Sequence, residues 1–225
     1  PDSLPGRYYA TIKGLLDRMA KADRGIQARS RILFGTHWRE LLLEAQEGRY
    51  DLVLIGTKRR GVAGRALFGS TGHKLLRTCP CPVWVVKEGA HAGATRVLVA
   101  HDLSEVGHTA LSVGAAIATL GQGELHVLHV IEHPESQHFL GSVNTESRAE
   151  RLRAAREVLD AQCRTLTQTN PPVLDVVDGS AHEVILEYVR DQGIDLLVMG
   201  TVARSGLAAL LTGNTAEHVL PWIDC

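Results

Sequence analysis

The chain has 225 residues, a formal net charge of −1 at pH 7 and a sequence pI of about 7.0. This balance of charge argues against the basic field that draws proteins to nucleic acid or anionic lipid, and no apolar run reaches the roughly 20 residues that span a bilayer. Hydrophobic residues make up 44% of the chain but aromatic residues only 4%, so the core must consist of Val, Leu, Ile and Ala, as is typical of buried parallel strands.

Five short aliphatic runs follow one another along the chain. They lack polar alternation, and such runs predict strands that are covered on both faces, as in a parallel sheet. The runs are residues 52–55, 83–86, 97–100, 125–131 and 196–199.

Helical periodicity lies around and between these runs. Apolar residues recur at three- and four-residue steps from Tyr9 to Met19, and again from Ala149 to Leu166 in the longest amphipathic stretch. The sequence Ser180-Ala-His-Glu183 predicts a capping box that opens a helix through Val189. Strands that alternate with helices predict an α/β fold of the doubly wound, Rossmann-like type.

An internal repeat is the most informative feature of the sequence. Asp51 and Asp195 open matching segments at an offset of 144 residues (51 to 195), and the agreement continues without a gap. Such agreement predicts two tandem copies of one folding unit. The further matches are Gly56 with Gly200, Thr57 with Thr201, Arg60 with Arg204, Leu67 with Leu211, Gly69 with Gly213, Thr71 with Thr215, Leu76 with Leu220 and Cys81 with Cys225.

The offset also predicts the domain boundaries. We expect a partial first domain at residues 1–88, a small polar linker at 89–95 and a second domain at 96–225. If the copies are of equal length, the first lacks about 48 N-terminal residues and the second ends about six residues early, without its last strand. The edge of the predicted strand 83–86 is then expected to be unpaired and prone to association.

In each copy, a glycine-rich loop follows a predicted strand and leads into a helix that opens on small polar residues. A glycine at a strand end lets the backbone approach a ligand closely. A helix start exposes unpaired N–H groups, which favour an anion such as phosphate. These residues are Gly56, Gly69, Ser70 and Thr71 in the first copy and Gly200, Gly213, Asn214 and Thr215 in the second.

These loops resemble the G-x2-G-x9-G-[S/T] loop that holds the phosphates of ATP or AMP in the universal stress protein family. Asp102, in Ala100-His-Asp-Leu-Ser104, matches that family's ribose-binding Asp, and Val130 lies near its adenine position. The segment 81–86 looks like its closing strand, and the two loops look closest to its tandem-domain branch. The resemblance covers nearly the whole chain, most weakly before Gln27. It implies a nucleotide site at Ala100, Asp102, Val130, Met199, Gly200, Gly213, Asn214 and Thr215, with Gly56, Gly69, Ser70 and Thr71 as the first-copy counterparts.

The sequence departs from the family pattern at three positions. Arg59 and Ala203 replace the second loop glycine, where a Cβ narrows the approach of a phosphate, and Asn214 replaces the Ser/Thr. Neighbouring Gly61 and Gly206 could restore flexibility. A purely structural interpretation without a ligand therefore stays open. In it the glycines serve turns and caps, Asp102 helps to cap a helix alongside Ser104, and the run Lys58-Arg59-Arg60 is solvated.

The cysteines and the histidines of the predicted strand 125–131 do not indicate a further reactive or metal-binding site. Cys79 and Cys81 share a face of an extended segment, but no second ligand pair accompanies them, so neither a metal site nor a redox role is predicted. The four scattered cysteines do not form a disulfide framework and indicate a reducing cytoplasm. His126 and His129 are three residues apart on one strand and point to opposite faces.

We found no G-x-S-x-G, G-x4-G-K-[S/T] or H-E-x-x-H motif, so a non-enzymatic role is expected and no catalytic residue is assigned. The first hypothesis is a stress-response protein that binds ATP or AMP. The alternative is a scaffold with degenerate nucleotide clefts, and the third is slow ATP hydrolysis. We expect neither a nucleic-acid partner nor a membrane span. By resemblance, the two copies pair as an intramolecular pseudo-dimer, and a homodimer is a further possibility.

Overall fold

The computed structural model describes residues 10–11, 14, 29, 31–59, 66–67, 69–87, 93–132, 147–166, 170–201, 215–223 and 225. Most of the helix predicted between Tyr9 and Met19 lies outside these residues, and so do the predicted positions Arg60, Gly61, Ala203, Gly206, Gly213 and Asn214. The chain forms two compact units, residues 1–50 and 51–225.

The first unit contains helix α1, His37–Gly48. The helix ends at Arg49, which adopts the left-handed conformation and donates its backbone N–H to Ala45 O. Glu44 forms an ion pair with Arg31 and accepts a hydrogen bond from the Tyr50 hydroxyl at 3.2 Å. These contacts fix the chain on either side of the helix.

The second unit opens with a small parallel sheet. Strand β1 (Val53–Gly56) pairs with β4 (Val83–Val86), and α2 (Ser70–Thr78) connects them. A short antiparallel pair, β2 (Lys58–Arg59) and β3 (Ala66–Leu67), lies between them in sequence.

The positions of both predicted strands are confirmed, but the predicted coverage of both faces is wrong for β1. Leu54 is 61% exposed, whereas the neighbouring Val53 and Ile55 are half-buried. Because alternate side chains of a strand point to opposite faces, β1 is shielded on one face.

The larger sheet contains four parallel strands in the order β7-β6-β5-β8. Here the predicted coverage of both faces is correct, since Val97, Leu98 and Val99 are fully buried. The strands are β5 (Arg96–Ala100), β6 (Glu124–Ile131), β7 (Val173–Asp178) and β8 (Leu196–Met199), and the helices are α3 (Glu105–Leu120), α4 (Arg148–Cys163), α5 (Ala181–Asp191) and α6 (Thr215–Val219).

Two hydrophobic clusters cover this sheet. One joins Val97 and Val99 to Leu111 of α3 and Leu159 of α4. The other joins residues of the same sheet to α5 and α6: Leu98, Leu128, Ile185, Val189 and Val219. Helices therefore lie on both faces, which confirms the predicted doubly wound α/β fold.

Two features of the helices and strands differ from the sequence predictions. Strand β7 was missed because Asp175 and Asp178 interrupt its aliphatic residues. The capping box predicted at Ser180 is wrong, since the Ser180 hydroxyl pairs with His182 Nδ1 at 2.9 Å and the Glu132 carboxylate accepts the Ala181 N–H at 2.8 Å. The helix itself begins as predicted and continues to Asp191.

A capping box does open α4. The Ser147 hydroxyl accepts a hydrogen bond from the Glu150 N–H at 3.2 Å, and the Glu150 carboxylate accepts the Ser147 N–H at 2.7 Å. This exchange satisfies two of the N–H groups that a helix start leaves unpaired.

Within the described part of the chain, no helix combines the length and the apolar character that crossing a membrane requires.

Candidate functional site

The strand order creates a topological switch point in the larger sheet, and we call the space beyond the strand ends there the cleft. The chain leaves β5 for β6 on one side and later returns from β7 to β8 on the other, so the direction of winding reverses between β5 and β8. Ligands of open α/β sheets bind at such a switch point, beyond the carboxyl ends of the strands. Ala100 and Met199, both predicted site residues, are paired neighbours at these ends.

The turn after β5 is held by a buried histidine. His101 is 3% exposed, and its Nδ1 accepts a hydrogen bond from the Leu103 N–H at 2.8 Å. Leu103 has a φ of 61°, in the left-handed region that a leucine rarely adopts. The hydrogen bond from Leu103 to His101 therefore supports a strained turn that contains Asp102.

Asp102, the predicted ribose ligand, is oriented by the start of α3. Its Oδ1 accepts hydrogen bonds from the Ser104 N–H at 3.1 Å and from the Ser104 hydroxyl at 2.5 Å. Ser104 in turn caps α3 by accepting the Gly107 N–H at 3.1 Å. Both hydrogen bonds from Ser104 reach Oδ1 and Asp102 is exposed, so its second oxygen, Oδ2, can accept hydroxyl groups of a ligand.

The electrostatics of this turn fix two protonation states. Partial desolvation acts to raise the pKa of Asp102, but the hydrogen bonds from Ser104 and the proximity of His101 outweigh it, and the pKa is lower than usual. Burial lowers the pKa of His101; Asp102 opposes this effect, and His129 and His108 add to it. At neutral pH the turn therefore presents a carboxylate beside a neutral imidazole.

Two glycines allow α3 to lie against both strand ends. A Cβ on Gly200 would lie 2.8 Å from Val106 Cγ1, and a Cβ on Gly107 would lie 2.5 Å from Asp102 Oδ1. Cβ atoms do not tolerate separations below 3.0 Å. The first turn of α3 thus forms a wall of the cleft between Asp102 and Gly200.

The end of β6 contacts the same turn. His129 donates from Nδ1 to the backbone oxygen of His101 at 2.7 Å. Val130, the predicted adenine contact, follows it and packs against the second hydrophobic cluster. His101 and His129 were not predicted as site residues, although each directly precedes a residue that was. His101 Nε2 is buried without a hydrogen-bond partner among the described residues.

His126 is buried and contacts a tyrosine of α5. It is 5% exposed, and its Nδ1 lies 3.0 Å from the Tyr188 hydroxyl, which donates to Asp175 at 2.7 Å. His126 and His129 therefore make separate contacts.

Of the predicted phosphate-binding residues of the second copy, the structure describes only the first, Gly200, and the last, Thr215. Gly200 follows β8, and Thr215 begins α6, while Gly213 and Asn214 lie outside the described residues. The first-copy counterparts belong to β1 and α2 and not to the cleft between β5 and β8. Gly56 ends β1, Gly69 is the N-cap of α2 without a side-chain cap, and Ser70 and Thr71 form its first turn.

The first copy contacts the second beside this site. Arg77 of α2 donates two hydrogen bonds to the Glu217 carboxylate, at 2.6 Å and 3.1 Å. The Thr201 hydroxyl donates to Leu76 O at 2.9 Å, and Lys87 Nζ donates to Leu220 O at 3.0 Å. The segments after β8 are thus joined to α2 and β4.

No metal site was predicted, and across the residues that the structure describes no three His, Cys, Asp or Glu side chains group in a way that could hold a metal ion.

Comparison with known families gives two matches in this chain. The model of the "Universal stress protein family" matches residues 5–87 and again residues 93–225. The double match agrees with the internal repeat and confirms the tandem organisation predicted from the sequence.

Two curated relatives show the extent of the similarity. The chain is 29% identical over 232 residues to the "Universal stress protein E homolog" of Haemophilus influenzae, covering 97% of this chain and 74% of the relative. It is 30% identical over 203 residues to "Universal stress protein E" of Escherichia coli (strain K12), covering 82% of this chain and 62% of the relative. The match thus spans less than two thirds of the second relative.

A solved structure shares the fold. The crystal structure of a universal stress protein from Archaeoglobus fulgidus superposes with a TM-score of 0.72 at 21% identity, covering 97% of this chain and 75% of the other.

Proposed function

The chain belongs to the universal stress protein family, and from this premise we propose that its second copy binds ATP or AMP as a non-enzymatic component of the stress response. The observation that carries the proposal is the pair Asp102 and Gly200, which flank the switch point between β5 and β8. A carboxylate on one side and a close backbone approach on the other suit a ribose and its phosphates.

Different residues would contact the ribose, the adenine and the phosphates of the ligand. Oδ2 of Asp102 would accept the ribose hydroxyls, and Ala100 and Met199 would lie beneath the sugar. Val130 would contact the adenine from the end of β6. The phosphates would extend past Gly200 toward Gly213, Asn214 and Thr215, where the sequence predicts free backbone N–H groups.

Nucleotide analysis of the purified protein tests this proposal. We expect near-stoichiometric adenine nucleotide in the extract, or an increase in Tm when ATP or AMP is added, because a ligand that binds the folded state stabilises it. Asp102→Asn removes a charged acceptor, and a hydrogen bond to a charged group contributes about 1.5–3 kcal/mol, so we expect affinity to fall roughly 10- to 100-fold. Gly56→Val, at the end of β1 and outside the cleft between β5 and β8, is the control and should keep the wild-type affinity.

The scaffold alternative is favoured by one contact and by the sequence. Oδ1 of Asp102 is already engaged by Ser104 in the cap of α3, and Arg59, Ala203 and Asn214 replace residues of the family loop. Absence of nucleotide together with an unchanged Tm in ATP and AMP would reject the binding proposal in favour of the scaffold. Release of phosphate over time, lost in Asp102→Ala, would instead show hydrolysis.

We also infer an intramolecular pseudo-dimer in a reducing cytoplasm. The contacts of Arg77 with Glu217 and of Thr201 with Leu76 support pairing of the copies. All four cysteines are free, which suits a reducing compartment. Sedimentation of the purified chain separates this arrangement from a homodimer.

A further inference from the structure

Two thiols lie side by side where α2 ends. Sγ of Cys79 and Sγ of Cys81 are 3.7 Å apart, and both residues are half-buried. Cys79 is the C-cap of α2 and donates its N–H to Leu75 O at 2.8 Å. The backbone bends at Pro80 and Cys81 before β4 begins at Val83. The bend brings two side chains from alternate positions to the same side of the chain.

We propose that Cys79 and Cys81 form a reversible disulfide and that this loop is a site of thiol oxidation. An S–S bond is about 2.05 Å long, so each sulfur must move by roughly 0.8 Å, which rotation about the Cα–Cβ bonds can supply. The bond requires no approach of distant segments, since Pro80 alone separates the two residues.

The oxidant is a peroxide, and the chemistry proceeds in two balanced steps. One thiolate attacks an oxygen of hydrogen peroxide, and the O–O bond breaks to give a sulfenic acid and hydroxide, which takes up the proton that the thiol had released and leaves as water. The neighbouring thiol then attacks the sulfenic sulfur, the S–O bond breaks, and a second water leaves as the S–S bond forms. A small dithiol returns both sulfurs to thiols and is itself oxidised to a disulfide.

The surroundings indicate a slow and reversible reaction. Burial raises the pKa of the Cys81 thiol, and the hydrogen bond with Cys79 and the charges of Cys79 and Asp51 act in the same direction. Because the thiolate is the nucleophile, oxidation should accelerate as the pH rises. A three-residue loop restricts the unfolded chain little, and half-buried sulfurs remain open to reductant, so the bond is labile and not structural.

The pair distinguishes the first copy from the second. The repeat aligns Cys81 with Cys225, but the residue aligned with Cys79 is Ile223. Burial raises the pKa of Cys225, and it raises the pKa of Cys163 to about 11. Oxidation would occur directly after the turn of α2 that contacts Thr201 and Glu217 of the second copy.

Peptide mass spectrometry of the full chain tests the proposal. The protein is treated with hydrogen peroxide, unfolded, alkylated with iodoacetamide and cleaved with trypsin. Cleavage after Arg77 and Lys87 releases both cysteines in one peptide, 78–87. We expect that peptide to lose two hydrogen atoms and to escape alkylation, while Cys163 and Cys225 are alkylated. Dithiothreitol should restore its alkylation, and the reaction should be faster at about pH 9 than at pH 7.

Single serine variants supply the controls. Cys79→Ser and Cys81→Ser should each abolish the loss of two hydrogens, whereas Cys225→Ser should leave it unchanged. Three results would overturn the proposal: oxygen added to one cysteine without a bond, a disulfide between two chains, or full alkylation of peptide 78–87 after peroxide treatment.

Discussion

The two copies of the repeat hold equivalent residues in different surroundings. A Cβ on Gly56 would meet nothing within 4 Å, whereas a Cβ on the equivalent Gly200 would meet Val106 at 2.8 Å. Leu54 is 61% exposed, but its counterpart Val198 is half-buried and packs against the first hydrophobic cluster. The same strand-end motif therefore forms a cleft wall in one copy and an open strand end in the other.

This difference shows that the motif alone does not make the site. Gly200 lines a cleft because β5 pairs with β8 and because α3 begins beside it. The helix that follows each loop is packed alike in the two copies, unlike the strand end, since Leu75 and the equivalent Val219 are both fully buried. The copies thus share the packing of this helix and differ in what surrounds the strand end.

The largest expected effect tests this shared packing of the helices. Leu75→Ala should lower the free energy of unfolding by about 2–5 kcal/mol, because it removes a fully buried side chain and leaves a cavity. Leu54→Ala, in the exposed part of β1, should cost less than about 1 kcal/mol. Urea unfolding of the two variants measures the difference. Equal losses would mean that Leu54 is covered in solution.

A smaller effect tests the difference between the two glycines. Gly200→Val places a branched side chain against Val106, and overpacking of this kind typically costs about 1–3 kcal/mol. Gly56→Val, the equivalent change in the first copy, should stay within about 0.5 kcal/mol of the wild type. The two denaturation midpoints give the comparison, and a tolerated Gly200→Val would show that α3 does not pack against this strand end.

The contact between the copies is tested by a second equivalent pair. Thr201→Val removes the hydroxyl that donates to Leu76 O, and loss of one such hydrogen bond costs about 0.5–1.5 kcal/mol. Thr57 makes its hydrogen bond to Val86 O through the backbone N–H, so Thr57→Val should be nearly neutral. Thermal unfolding distinguishes the variants. A Thr57→Val loss as large as that of Thr201→Val would contradict the asymmetry between the copies.

Much of the fold could be predicted because its signals are local. Aliphatic runs marked β1, β4, β5, β6 and β8, and the repeat marked the two copies. The coverage of Leu54 could not be predicted, since the same run pattern occurs whether or not a helix covers the second face. Ser180 had the correct spacing for a capping box, but Glu132, distant in sequence, accepts the Ala181 N–H instead.

The candidate site could be predicted in part for the same reason. A linear motif located Asp102 and Gly200 at strand ends, and the pairing of Ala100 with Met199 brings these ends together. The role of His101 depends on the left-handed backbone of Leu103 and on the contact with His129. Neither feature has a signal in the sequence.

The smallest expected effect concerns the loss of folding stability at low pH. We assign this effect to the His101–Asp102 turn of the second copy. Burial lowers the pKa of His101, so the folded state binds a proton less readily than the unfolded state, and stability should decrease as the pH falls below about 6.5. His101→Gln keeps an acceptor for the Leu103 N–H but does not titrate, so urea unfolding should show a smaller decrease in stability between about pH 7 and pH 5.

This pH range lies above the one in which Asp102, whose pKa is also lowered, loses its charge. The control His37→Gln replaces an exposed histidine of α1, and an equal reduction of the slope in that variant would show that the acid sensitivity does not come from the turn.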